Sequence, residues 1–201
     1  MMNNPSRRRI LGTGLAAMAT AALPLPVLAL SDASARALID KVVADINKVI
    51  ASGKSQGAMI KDFERIFTRY GDVNIIARST LGPDSRRASS GQLKAYTSAF
   101  RGYIARKYGK RFREFIGGRI EVQGVRKVKS WQEVKTTVYL RGSAPFTVLF
   151  LVSDKSGKDL FFDMVIEGVS LRLSERTEIG SMLDQRQGNI DALIRDLKSS
   201  G

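Results

Sequence analysis

The chain has 201 residues, of which 43% are hydrophobic, so it is long and apolar enough for one domain with a substantial core. It carries a formal net charge of +14 and contains neither cysteine nor histidine. This composition excludes disulfides, cysteine nucleophiles, histidine triads and His/Cys zinc sites, so it favours binding over catalysis, with no metal and no cofactor.

The N-terminal segment has the pattern of an export signal. It begins with Arg7 and Arg8, continues as a weakly apolar run over residues 11–23, and reaches small residues suited to signal peptidase at Ala29. The arginine pair resembles a twin-arginine signal, although Sec signals also carry consecutive arginines. A membrane anchor is the alternative, but glycines dilute the run and prolines break it. We therefore predict a signal peptide at 1–29, a single mature domain at 30–201 and a periplasmic location.

Apolar residues recur at three- and four-residue steps in the first part of the mature chain, which predicts amphipathic helices. The first helix is bounded by a start signal at Ser31 and a stop at Gly53, and a short third helix ends at Gly82. The pattern of the fourth helix continues past Gly109 toward Phe115. The four apolar faces are centred on residues 38–50, 59–67, 73–81 and 93–104.

A two-residue period begins after Gly117-Gly118, and it predicts four antiparallel strands. The third strand is apolar almost throughout, so we expect it to lie centrally and to be covered on both faces. In the fourth strand, the alternation places Phe162 on the same face as Met164 and Ile166. Two further helices, around 175–183 and 190–197, complete an α+β fold with N-terminal helices, a four-stranded sheet and C-terminal helices.

A resemblance to a known family lies in the C-terminal half. The run from Phe161 to Leu171 contains Asp163, Glu167-Gly168 and Ser170, and Arg176 and Glu178 follow it. This segment resembles the D-v-x-i-E-G-v-S-l … R-x-E motif of the MlaC (toluene-tolerance) family. The order of upstream helix, glycine break, strands and terminal helix is similar too, so the resemblance covers essentially the whole mature chain.

Members of that family are periplasmic phospholipid-binding components of an ABC-type lipid transport system. The resemblance implies a soluble carrier that shuttles phospholipid between an inner-membrane ABC transporter complex and an outer-membrane lipoprotein complex, and so serves outer-membrane lipid asymmetry. It further implies a monomer in transient contact with membranes. The acyl chains would be enclosed between helices and sheet, with the head group near solvent.

Screening two acyl chains from water requires a deep apolar cavity, because each buried methylene is worth about 0.8 kcal/mol. Alternation alone does not decide which strand faces point inward, so a closed core without a cavity is the alternative interpretation. The candidate lipid-binding residues are Phe63, Phe67, Phe100, Tyr103, Phe112, Phe115, Val138, Leu140, Phe146, Val148, Phe150, Phe162, Met164 and Ile166.

Basic residues are dense between positions 101 and 113. Arg106, Lys110 and Arg113 are the candidates for a head-group site or for docking to an acidic transporter surface, and a solvated helix face is the alternative. The aromatic residues interleaved with them also suit single-stranded nucleic acid. Export argues against that partner, so we predict that the protein does not bind nucleic acid.

Two other functions remain as alternatives. One is a small histidine-free α+β enzyme with an apolar pocket, which needs a buried carboxylate beside a tyrosine. Asp163 and Glu167 lie about 13 Å apart along a strand, too far for a paired-carboxylate mechanism. We expect Glu167-Gly168 to shape a strand end and Asp163 to pair with a lysine or arginine. The other alternative is an adaptor whose basic face binds nucleic acid or an acidic protein.

Overall fold

The computed structural model describes residues 30–201, apart from the side chain of Phe112, so the predicted signal peptide lies outside the described residues. Helices come first and last in this part of the chain, with a sheet between them. The helices are α1 (Asp32–Ile50), α2 (Gln56–Tyr70), α3 (Val73–Leu81), α4 (Ser90–Gly109), α5 (Leu171–Gln185) and α6 (Ile190–Ser199), with 3₁₀ segments at Gly82–Arg86 and Lys110–Phe115.

The sheet is an antiparallel meander whose strands lie side by side in chain order. It has five strands where the sequence predicted four, because a strand of two residues is too short to show a period. The predicted α+β class is confirmed. The strands are β1 (Arg119–Val128), β2 (Trp131–Tyr139), β3 (Phe146–Ser153), β4 (Leu160–Ile166) and β5 (Val169–Ser170).

The core lies between one face of the sheet and the helices. On β2, Val134, Thr136 and Val138 are buried while Lys135 between them is exposed, as the alternation predicted. On the central strand β3, however, the side chains pointing the other way are only partly buried, Leu149 among them. The prediction that both faces of this strand are covered was therefore wrong: its outer face meets solvent.

The helices begin at polar residues that cap them. In each case a side-chain oxygen accepts a hydrogen bond from a backbone N–H of the first turn, which satisfies a donor that the helix itself leaves unpaired. The capping residues are Ser31, Ser55, Asp72, Ser89, Ser170 and Asn189 for α1 to α6 respectively.

Helix α4 crosses α2 at Gly109. A Cβ atom at this position would meet Cγ1 of Ile60 at 2.9 Å, so only glycine allows the two backbones to come this close. The α-helix ends here and the chain continues as the 3₁₀ segment Lys110–Phe115. This tighter segment is why the helical pattern of the sequence runs on to Phe115.

Candidate functional site

A cavity of about 250 Å³ lies between the inner face of the sheet and the helices. Strands β1 to β4 supply one side of its wall, and residues of α1, α2, α4, α5 and the 3₁₀ segment Lys110–Phe115 close it from the other side. The wall is predominantly apolar. Of the residues predicted to contact lipid, those that line it are Phe63, Phe115, Val138, Leu140, Phe146, Val148, Phe150, Met164 and Ile166.

The remaining predicted lining residues lie elsewhere. Phe67, Phe100 and Tyr103 are buried in the core beside the cavity and do not border it. Phe162 lies on the opposite face of the sheet, and the Phe112 side chain is outside the described part of the chain.

A β-bulge explains the position of Phe162. Leu151 pairs with Asp163 while Val152 pairs with Phe161, so Phe162 is an extra residue that breaks the alternation of β4. Its ring packs edge-on against Trp131 at a centroid distance of 6.1 Å. Phe161 takes the inward position instead. A strict two-residue period assigns these neighbouring phenylalanines to the wrong faces.

The structure also adds lining residues that were not among the predicted set: Ile46, Tyr108, Arg111, Glu114, Ile120, Thr136 and Leu171. Thr136 is a polar residue in an apolar wall. Its hydroxyl donates a hydrogen bond of 2.9 Å to the backbone oxygen of Val148, so its polar group is satisfied within the sheet. The strand alternation already pointed Thr136 toward the core, between Val134 and Val138.

One edge of the cavity is charged and reaches solvent. Arg111 and Glu114 line it from the 3₁₀ segment, with 3.6 Å between Nε of the arginine and Oε2 of the glutamate. Their side chains are 67% and 56% exposed. An exposed arginine beside an apolar wall can meet an anionic group while the rest of the same ligand lies in the cavity.

The cavity wall at Tyr108 is backed by a partly buried polar cluster. We define the Lys107 cluster as Lys107, Tyr103 and Tyr108 of α4 with Glu175 and Glu178 of α5. The Lys107 ammonium donates hydrogen bonds to both glutamates, 2.8 Å to Glu175, and the Tyr108 hydroxyl donates to Glu175 as well. Glu175 is completely buried and Lys107 is partly exposed, so this cluster joins α4 to α5 by a charge pair whose carboxylate is shielded from water.

Burial and hydrogen bonding shift the titration of this cluster. Burial, together with the carboxylates of Glu178 and Glu175, raises the pKa of Tyr103, and burial with Glu175 raises that of Tyr108. Burial opposes the charge of Lys107, but its hydrogen bonds to the two glutamates outweigh this effect and raise its pKa. The cluster therefore holds a protonated lysine and neutral tyrosines at neutral pH.

The basic residues proposed for head-group binding or docking do not gather at the cavity. Arg106 donates hydrogen bonds to backbone oxygens near the end of α6, 2.8 Å to Ser200, and Lys110 donates to the backbone oxygen of Gly201. Arg113 is exposed. Two of these three cations thus bind the C-terminal segment, and the arginine that borders the cavity is Arg111, which sequence reasoning placed in the same run without singling it out.

The Asp163–Ser170 segment has a structural role. Glu167 and Gly168 both have positive φ, 48° and 83°, which makes a tight turn between β4 and β5. Asp163 accepts hydrogen bonds from the Ser170 hydroxyl at 2.6 Å and from the Arg172 backbone N–H at 3.0 Å. It also pairs with the Arg172 guanidinium at 3.6 Å. These contacts fix the start of α5 and so hold Leu171 against the cavity.

Over residues 30–201, no helix is both long and apolar enough to cross a membrane. The same region contains no group of three or more acidic residues placed to hold a metal ion.

Comparison with known proteins finds matches both to a family model and to solved structures. The family model described as MlaC protein matches residues 36–199. A phospholipid-binding protein from Ralstonia solanacearum, solved in complex with a phospholipid, has a similar structure with a TM-score of 0.71. The two chains share 16% sequence identity over 83% of this chain and 96% of the other. At that identity, the match establishes a shared fold.

Proposed function

The chain belongs to the MlaC family, and from this we propose that it binds a phospholipid in the cavity beneath the sheet and carries it between membrane complexes. One observation carries the proposal: an apolar cavity with an exposed arginine at its edge, in a fold that a phospholipid-bound protein shares. Such a transfer involves no covalent chemistry, so we infer a binding protein and not an enzyme.

Burial of acyl chains supplies the holding energy. Each methylene removed from water contributes about 0.8 kcal/mol, so a chain of even moderate length offsets the cost of ordering it. The wall meets this requirement because its strand residues, such as Val148, Phe150 and Met164, are aliphatic or aromatic. Arg111 at the charged edge is our candidate for the lipid phosphate, as a guanidinium can donate two parallel hydrogen bonds to it.

A cavity of about 250 Å³ is smaller than a diacyl phospholipid, so binding requires its walls to separate. The 3₁₀ segment Lys110–Phe115 is the wall element best suited to move. Short 3₁₀ helices have poorer hydrogen-bond geometry than α-helices, and this one joins α4 to β1 through the flexible pair Gly117-Gly118. Moving it outward would lengthen the cavity at the edge where Arg111 lies.

The proposed cycle has the carrier working as a monomer in the periplasm, between an inner-membrane ABC transporter complex and an outer-membrane lipoprotein complex. Exposed apolar side chains beside the cavity support transient membrane contact. Ile116 follows the wall residue Phe115, and Val169 pairs with the wall residue Ile166 in the sheet. Both are positioned to meet acyl chains as lipid enters or leaves.

Protein purified from a bacterial host is expected to carry phospholipid. Native mass spectrometry should show a complex heavier than the polypeptide by the mass of one phospholipid, which organic extraction and lipid analysis then identify. Apolar burial predicts that this lipid survives dialysis at high salt, which screens exposed charges and leaves the hydrophobic contribution intact. Protein that is repeatedly recovered empty, and that stays empty after incubation with phospholipid vesicles, would contradict the proposal.

Export is proposed from the N-terminal pattern. Cleavage after Ala29 should yield a mature protein that begins near Leu30. N-terminal sequencing of protein from a periplasmic extract measures this directly. Replacing Arg7 and Arg8 with lysine distinguishes the routes, since a twin-arginine signal is blocked by this change and a Sec signal is not. Uncleaved protein confined to the cytoplasm would overturn both the signal and the proposed location.

A further inference from the structure

A continuous basic groove runs over the helical side of the molecule. It consists of three adjoining clefts of about 490, 720 and 710 Å³, which share Arg69 and Arg101 among other residues where they meet. The groove passes from the end of α1 along α2 to α3, α4 and the turn between β3 and β4. We define it by the basic side chains along it: Lys48, Lys61, Arg69, Arg78, Lys94 and Lys158.

The carboxylates in the groove already have partners within the protein. Asp62 pairs with Lys54 at 2.6 Å and Glu64 with Arg101 at 2.8 Å. Asp45 accepts a hydrogen bond of 2.8 Å from the Tyr70 hydroxyl. Asp72 caps α3, accepting from the Ile75 backbone N–H at 3.1 Å. Each of these carboxylates therefore takes part in an interaction within the protein.

The basic side chains that define the groove are not compensated in this way. Among the residues that the structure describes, none of the six has a carboxylate within 4 Å. Each of these side chains is exposed and therefore accessible to a partner. The groove thus combines a concave shape with an excess of positive charge, which is the complement of an acidic segment.

One end of the groove, the cleft of about 710 Å³ that contains Lys158, lies at the opposite end of the sheet from the lipid cavity. Lys158 belongs to the turn between β3 and β4, whereas the cavity residues Leu140 and Phe146 flank the turn between β2 and β3. The eight residues of β3 separate these two turns by about 25 Å. A partner bound at the Lys158 end of the groove would leave the cavity edge free.

We propose that the basic groove is a docking site for an acidic segment of a partner protein. The inference rests on the proposed function in one respect: a carrier must be held at a membrane complex while its lipid-exchange edge stays open. A protein segment fits better than a membrane, because a membrane surface is flat and cannot enter a cleft. The charges would steer the encounter and make its rate fall with ionic strength.

The test compares two triple variants with the same change in charge. The groove variant carries Arg78→Glu, Lys94→Glu and Lys158→Glu; the control carries Lys41→Glu, Lys127→Glu and Arg195→Glu, which are exposed residues outside the groove. The probe is fluorescent polyglutamate of about twenty residues, followed by anisotropy at about 0.15 M salt. We expect the groove variant to bind about tenfold more weakly, and the control to change by about twofold or less.

Equal losses in both variants, or no loss in either, would overturn the proposal, since binding would then follow net charge alone or ignore the groove. Vesicles of phosphatidylethanolamine and phosphatidylglycerol in roughly a three-to-one ratio provide the membrane arm. If the groove variant loses vesicle binding but keeps polyglutamate binding, the surface serves a membrane and the proposal is wrong.

Lipid content, measured on the same samples, separates this proposal from the proposed function. The groove variant should retain its phospholipid, because its three substitutions all lie in the Lys158 cleft, at the other end of the sheet from the cavity. If no sample carries lipid, the carrier function fails while the polyglutamate comparison still decides the groove.

Discussion

Replacing Val148 with aspartate is expected to empty the cavity of phospholipid. Val148 lies on the inner face of the central strand, is 7% exposed and borders the cavity. An aspartate there would place a carboxylate against acyl chains, where it has neither water nor a cation, and an unpaired charge in hydrocarbon is heavily penalised. We expect the lipid-to-protein ratio, measured by native mass spectrometry after purification, to fall by about tenfold or more.

The neighbouring residue provides the matched control. Leu149 is on the same strand, one position along, and its side chain points to the outer face of the sheet, so Leu149→Asp adds the same charge outside the cavity. Lys135 lies directly opposite it on β2 and offers a cation. This variant should keep its lipid. Equal lipid loss in the two variants would mean that charge in the sheet, and not charge in the cavity, expels the ligand.

A second cavity variant guards against simple misfolding. Phe146 borders the cavity at the start of β3 and is only partly buried, so Phe146→Asp costs the fold less than a change at Val148. Circular dichroism melts establish which variants are folded. A folded Phe146→Asp or Val148→Asp protein that retains a full complement of lipid would show that the acyl chains lie elsewhere, and the proposed function would then lose its site.

The inner face of the sheet was largely predictable from the sequence, because the period of a strand follows directly from its geometry. On β2, alternation grouped Thr136 and Val138 on one face and the charged residue Lys135 on the other, and the structure puts Thr136 and Val138 on the cavity wall. The failure at Phe162 has an equally local cause. A bulge adds one residue to β4, and no feature of the sequence Leu160-Phe161-Phe162 distinguishes the inward ring from the outward one.

Whether an apolar residue borders a cavity or fills a core could not be predicted, because the two environments select the same side chains. Phe63 and Phe67 show this clearly. They lie one helical turn apart on α2 and their rings stack at 6.3 Å, yet only Phe63 reaches the cavity. The difference depends on where β3 and β4 lie, which is a matter of tertiary packing that no helical period contains.

The basic residues illustrate a related limit. Arg106 and Arg111 belong to the same basic stretch at the end of α4 and the start of the 3₁₀ segment. Arg106 nevertheless binds the backbone near Ser200, while Arg111 borders the cavity. Charge patterning indicates that a face is basic and leaves the partner of each residue undetermined. The partner of Arg106 comes from α6, more than 90 residues later in the chain, so its role is fixed only once the helices are packed.

Replacing Lys107 with methionine is expected to destabilise the fold strongly. The change removes the cation that faces Glu175, a carboxylate with 0% exposure, and leaves it with the Tyr108 hydroxyl as its remaining hydrogen-bond donor. Removing one partner of a buried pair costs about 3–5 kcal/mol, and we expect the lower end, about 3 kcal/mol, because the lysine is itself partly exposed. For a domain of this size the melting temperature should fall by roughly 6–12 °C.

Lys94→Met is the matched control on the same helix. Lys94 is exposed, so this substitution makes the same change of side chain without leaving a buried charge unpaired. Its melting temperature should stay close to that of the wild type. The double variant Lys107→Met, Glu175→Gln removes both charges and should recover much of the loss. If Lys107→Met alone proves no more damaging than Lys94→Met, the Lys107 cluster does not hold α4 to α5.

The dependence on pH gives a second, independent check on the Lys107 cluster. Burial opposes ionisation of Glu178, but hydrogen bonds from Lys107 and Tyr103 outweigh it and hold its pKa below the ordinary glutamate value of 4.5. Its stabilisation is therefore present above that value and is lost as the pH falls through the lower, folded-state pKa. In the Lys107→Met variant the part of this stabilisation that comes from Lys107 is already gone. The difference in free energy of unfolding between wild type and variant should consequently be largest near neutral pH and should narrow below about pH 4. Chemical denaturation at each pH measures this difference.

A difference that stays constant over this range would mean that the lysine stabilises the fold through packing of its methylene chain and not through its charge.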